Sequence, residues 1–108
     1  MTEMQKLIQV LTKTNVPFEV IFDSWGNDHV CYPSYEDMRC SVICNQYSYG
    51  GKEGLLEIMG LVYDEEDSVE GYLTAEIVAM RILHDYLFVF ATEEIYKYVL
   101  PKELRLFD

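Results

Sequence analysis

The chain has 108 residues, half of them hydrophobic and a quarter charged, with a formal charge of −11 at neutral pH. That length and content give one domain over residues 1–108 with enough apolar surface for a core, which excludes a disordered chain and a second domain. The charge repels phosphate backbones, so direct nucleic-acid binding is not expected, whereas encounter with basic protein surfaces is favoured.

Nine tyrosines and five phenylalanines make the chain rich in aromatics. Tyrosine covers apolar surface and keeps a polar tip, so each is read first as the rim of a small core and second as part of a contact surface. The first six residues lack a basic segment followed by an apolar run, and no stretch approaches the ~20 apolar residues of a bilayer span. A cytoplasmic location without membrane contact is expected. Cys31, Cys40 and Cys44, an odd set without an export signal, fit reduced thiols.

Residues 2–14 read as an amphipathic helix, because Met4, Leu7, Ile8 and Leu11 recur at helical spacing. Thr2 or Glu3 can serve its first amides, and Asn15-Val16-Pro17 ends it. Phe18, Val20 and Phe22 then alternate with Glu19, Ile21 and Asp23, which predicts a strand with an apolar face. After a Gly26-Asn27-Asp28 turn, a second strand over 29–32 stops at Pro33, and a third spans 39–46 around Ser41-Val42-Ile43-Cys44. A glycine-rich connection over 47–54 leads to a fourth strand over 55–62, apolar on both faces.

Asp64-Glu65-Glu66-Asp67-Ser68-Val69-Glu70 holds five acids in seven residues and must be solvated. Thr74 is a good N-cap, and Glu76 falls in the first turn of a helix over 75–86 that buries Ile77, Val78, Ile82 and Tyr86. Leu87-Phe88-Val89-Phe90 is read as a helix break or a short extended segment, after which Thr92-Glu93-Glu94 opens a last short helix closed by Pro101. Short strands joined by turn-like loops favour an antiparallel meander. The expected fold is α+β: roughly four antiparallel strands, with an N-terminal helix and one or two C-terminal helices on one face.

The segments SVICNQYSYG, GLLEIMGL and GYLTAE, between Ser41 and Glu76, resemble a family of small uncharacterised proteins of phages and prophages in low-GC Gram-positive bacteria. In that family a similar glycine turn precedes a leucine-rich strand, and an acidic loop leads into a Gly-Tyr/Trp-Leu-Thr-Ala-Glu helix start. The resemblance covers residues 41–83 and implies a phage setting and a cytoplasmic location. It assigns no catalytic residue.

Four kinds of chemistry have candidate residues in the chain. Cys31, Cys40, Cys44 and His29 are enough ligands for zinc, but ligands spread along strands without a Cys-x-x-Cys knuckle seldom converge. Only His29 and His84 are available as bases, and no Cys or Ser sits in a nucleophile turn. The acid run lacks the alternating pattern of an EF-hand. Ser48-Tyr49-Gly50-Gly51-Lys52 lacks the Walker spacing and leads into a strand, so a tight turn explains its glycines better than a phosphate cradle. No catalytic residue, metal or cofactor is expected.

The leading expectation is a non-enzymatic phage protein that binds a host or phage protein with a basic surface and inhibits a nucleic-acid-handling defence enzyme. Asp64, Glu65, Glu66, Asp67 and Glu70 would supply the electrostatic footprint, with Tyr63 and Tyr72 as aromatic anchors. One alternative is a small-molecule or nucleotide-binding module lined by Tyr47, Tyr49, Gly50 and Gly51. Another is an assembly homodimer, favoured if the aromatic segment from Leu87 is exposed.

Overall fold

A computed structural model describes residues 1–24, 26–62 and 68–91. Tyr63, the acids from Asp64 to Asp67, and the short helix expected from Thr92 lie outside them.

Helix α1 spans Glu3–Lys13 and opens with a reciprocal cap. The Thr2 side chain accepts the Gln5 amide, and the Gln5 side chain accepts the Thr2 amide at 2.8 Å. Met4, Leu7 and Leu11 form its buried stripe. Five strands follow: β1 Glu19–Phe22, β2 Asp28–Pro33, β3 Met38–Ile43, β4 Leu56–Met59 and β5 Val69–Leu73. Every neighbouring pair is antiparallel and the order is β1-β2-β3-β4-β5, the meander expected from short connections. Helix α2 covers Ala75–Tyr86.

The α+β architecture therefore stands, with five strands in place of four. The strand missed is β5, Val-Glu-Gly-Tyr-Leu, where an acid and a glycine depress strand propensity and a register shift against β4 interrupts the alternation. The segment 87–90 also differs. It continues α2 as a π-helical turn, Leu87–Ala91, and does not break the helix.

Alternation sorts the sheet into two faces. Val30, Tyr32, Cys40, Val42, Leu56, Ile58 and Leu73 join Leu7, Leu11, Val78 and Ile82 in one core between sheet and helices. Cys31 is equally buried but lies outside this core, on the opposite face of β2. Phe18 and Val20 pack inward as their alternation predicts, whereas Phe22 stays exposed at the sheet edge. Ile77, expected inside α2, is exposed, because Ala75, Val78, Ala79 and Ile82 make the buried stripe and Ile77 projects about 100° away from Val78.

The two helix N-termini meet. A Glu3 carboxylate oxygen of α1 accepts the Ala75 amide of α2 at 3.0 Å, while Thr74 caps Ile77. Glu3 thus places a negative charge against the positive end of α2, across 72 residues of chain. We expect Glu3→Gln to lower the unfolding free energy by about 1 kcal/mol in urea titration. A change within error would show that α2 does not use this cap.

Candidate functional site

The connection from β3 to β4 is built on its own side chains. Asn45 Oδ1 accepts the amides of Tyr47 and Ser48 at 2.8 and 2.9 Å, an Asx turn. Ser48 Oγ accepts the Asn45 amide at 2.9 Å and donates back to the Asn45 carbonyl. Gly51–Glu53 makes one 3-10 turn, and the Leu55 amide closes the loop on the Gly50 carbonyl at 2.9 Å. Glu57, a buried carboxylate of β4, accepts the Tyr49 amide at 2.9 Å and ties the loop to the sheet.

The loop then lies against β5. The Tyr72 amide donates to the Tyr49 carbonyl at 3.1 Å. Contact is close enough to require glycine on both sides: a Cβ on Gly50 would stand 2.8 Å from the Tyr72 backbone, and one on Gly71 2.1 Å from Tyr49 Cβ. Gly51 is as confined, since its Cβ would fall 1.8 Å from the Asn45 carbonyl oxygen. The sequence blocks SYGG and GYLTAE, twenty residues apart, are therefore two sides of one junction.

This junction redistributes the candidate residues. Tyr72 joins Tyr49 directly, with Tyr47 two residues upstream in the same loop, and the three are 61%, 62% and 70% exposed. Glu70 goes elsewhere. The register shift between Leu56 and Ile58 sets Glu70 opposite Ile58 on the helix-covered face, where its carboxylate bonds Arg81 of α2 at 2.6 Å. Of the residues expected to form one acidic footprint, Tyr72 faces solvent at the junction and Glu70 binds within the fold.

Tyr72 also carries the backbone feature that sets it apart. Its φ is +60°, a left-handed conformation that costs a bulky residue roughly 1–2 kcal/mol relative to glycine. Leu61 shares that conformation at φ +54°, but its side chain packs on the core. Tyr72 gains no comparable burial. Strain at an exposed side chain points to a use outside the fold.

No family model matches this chain, and no curated protein or solved structure matches it.

The phosphate-cradle reading fails on local grounds. The amides of Tyr47, Ser48, Tyr49, Gly51, Glu53 and Leu55 all bond acceptors of the loop itself or Glu57, so they do not converge on an anion. The space beside Gly50 and Gly51 is filled by backbone.

A second cluster was not anticipated. Asp85 of α2 accepts the Tyr32 hydroxyl at 2.8 Å and a bidentate pair from Arg39, Nε at 2.7 Å and a terminal nitrogen at 2.9 Å. A bulge at the Tyr32/Pro33 register shift brings Arg39 to the helix side of β3. Burial pushes the Asp85 carboxyl up, but the bonds from Arg39 and Tyr32 outweigh it and hold the group below the ordinary carboxylate range. Burial, with the bond to Asp85, raises the Tyr32 phenol. Asp85 follows Val78 and Ile82 at seven and three residues, so its place on the buried stripe was a readable sign of a paired acid.

The cysteines are set against thiolate chemistry. Burial raises all three thiols, Cys40 to about 12 with Asp85 adding to the effect, and Cys31 further through the charge of Glu19. Cys31 and Cys40 are neighbours across β2 and β3, as the strand pairing predicts, but they point to opposite faces of the sheet. Among the described residues no group of three or more His, Cys, Asp or Glu side chains gathers to hold a metal ion. No helix among them is long and apolar enough to cross a membrane.

Proposed function

We propose that this chain is a phage or prophage binding protein that engages a partner protein with a basic surface and blocks a nucleic-acid-handling cleft. The observation that carries the reading is Tyr72, exposed and held at φ +60° beside exposed Tyr49. Tyrosine presents large, rigid contact area at low entropic cost, and interface anchors are enriched in it. The junction is fixed by the Tyr72–Tyr49 and Tyr49–Glu57 bonds, so its side chains are presented with little ordering cost on association. The charge of −11 supplies long-range attraction to a basic cleft, and Asp64, Glu65, Glu66 and Asp67 belong to the β4–β5 connection that ends in this same strand.

The test uses the immobilised chain and a lysate of a low-GC Gram-positive host at two salt concentrations. The wild-type chain is expected to retain a basic nucleic-acid-handling protein and to release it as salt rises. Tyr72→Gly should retain full stability, within about 0.5 kcal/mol or slightly above wild type, because glycine relieves the left-handed strain. It should nevertheless weaken capture at least tenfold. Unchanged capture by Tyr72→Gly removes the junction from the interface, and unchanged capture by the Asn/Gln version of 64–67 removes those acids.

A further inference from the structure

Helix α2 is apolar along two stripes. The inner one, Ala75, Val78, Ala79 and Ile82, belongs to the core. The outer one consists of Ile77, Met80, His84 and Leu87, at steps of three, four and three, with Phe88 adjoining. Its members are open to solvent: Ile77 by 43%, Met80 by 69%, Leu87 by 55% and Phe88 by 67%. The π-helical turn extends the helical run to Ala91, and the His84 ring lies against Phe88 at a centroid distance of 4.5 Å.

A surface helix normally turns charged residues outward, and one that is apolar all round is ordinarily covered on both sides. Steps of three and four mark the seam along which helices pair. Ile77, Met80 and His84 of this stripe, with Arg81, line a shallow groove, and the Arg81 guanidinium is bound to Glu70. None of the five seam residues is a carboxylate, although the chain as a whole carries −11. Among them a basic partner finds no counter-charge, and a second copy meets an apolar strip whose like-charge repulsion comes from the exposed Glu76 at its edge, beside Ile77 and four residues before Met80.

We propose that this face is a homodimer interface in which α2 pairs with α2 of a second copy through Ile77, Met80, His84, Leu87 and Phe88. At roughly 100 Å² for each half-exposed large side chain, the seam offers about 500 Å² per copy and about 1,000 Å² in the pair, the lower bound for a specific contact. A two-fold axis would bring the same apolar set from each copy into contact. A contact at that lower bound belongs to the class of weak, reversible associations. It is independent of the tyrosine junction, which is built from the 45–55 loop and β5.

Sedimentation velocity from about 1 µM to about 300 µM tests it, a range that brackets micromolar association. The expected result is a monomer–dimer shift that strengthens with added salt, because screening weakens the repulsion between two acidic copies. That sign is opposite to the salt effect on the proposed partner, so the two readings fail separately. Met80→Glu should weaken dimerisation at least tenfold, whereas Tyr72→Gly should leave it unchanged. Should Met80→Glu not fold, as judged by circular dichroism, Phe88→Ala decides in its place with the same expected loss. A wild-type chain that stays monomeric over the whole range overturns the proposal, as does a folded seam variant that dimerises like wild type.

Discussion

Replacing Asp85 with asparagine is expected to lower the unfolding free energy by about 2–3 kcal/mol, roughly 10 °C in melting temperature. Two losses add. The Tyr32 hydroxyl, on a fully buried side chain, loses its anionic acceptor, and the Arg39 fork loses its bidentate partner. Arg39 is 42% exposed at its side chain, so water recovers part of its share, and the cost falls below that of a wholly buried pair. Tyr32→Phe should cost less, about 1 kcal/mol, because Asp85 keeps Arg39.

The pH dependence gives this expectation a second readout. The folded state holds the Asp85 carboxyl below its ordinary value, so its stabilisation is full above the unfolded value of ~3.9 and is lost as pH falls through the lower folded one. The stability gap between wild type and Asp85→Asn should therefore be constant from neutral pH to about pH 5 and close below about pH 4. A gap that persists undiminished in acid would mean that shape, not charge, makes the asparagine variant unstable.

Much of the fold was legible because local signals agreed with one another. Met4, Leu7 and Leu11 kept one helical face, Thr2 and Thr74 capped the helices, and the alternation in β1 to β3 set the inward residues. Legibility failed where tertiary contacts overrode composition. Leu87-Phe88-Val89-Phe90 has the content of a strand, yet it continues a helix whose Tyr86 and Phe90 pack against the core with their rings 5.8 Å apart. In β5 the bulge that conceals the strand is the same feature that turns Glu70 inward and Tyr72 outward. Proximity in the chain groups those two residues but cannot reveal which side of a shifted register each one takes.

The candidate site shows the same division. Its charge and its tyrosines were visible in the sequence, but their assignment to two competing sites was not resolvable there. Tyr49 and Tyr72 come together only because a loop tied to Glu57 crosses β5, and the signal for that was the pair of glycine-bearing blocks SYGG and GYLTAE.

Gly71→Ala tests this junction most directly, and the expected loss is about 2–4 kcal/mol. The new methyl group would meet Tyr49 Cβ at 2.1 Å and the Tyr49 carbonyl oxygen at 2.5 Å. Both are anchored by a backbone that Glu57 and Asn45 hold in place, so no side-chain rotation can relieve the clash. The loop must lift, and the Tyr72–Tyr49 hydrogen bond breaks with it. Gly54→Ala is the control. Gly54 has positive φ, which Gly71 has not, but nothing lies within 4 Å of the added group, so only the conformational cost of about 1 kcal/mol remains. Partner capture should fall in Gly71→Ala even at temperatures where the chain stays folded, because Tyr49 and Tyr72 no longer share one surface. Set beside Tyr72→Gly, which is expected to keep stability and lose binding, this variant separates holding the tyrosines together from what they touch. Urea titration that finds Gly71→Ala no less stable than Gly54→Ala would mean the loop does not rest on β5, and the tyrosine surface would dissolve with it.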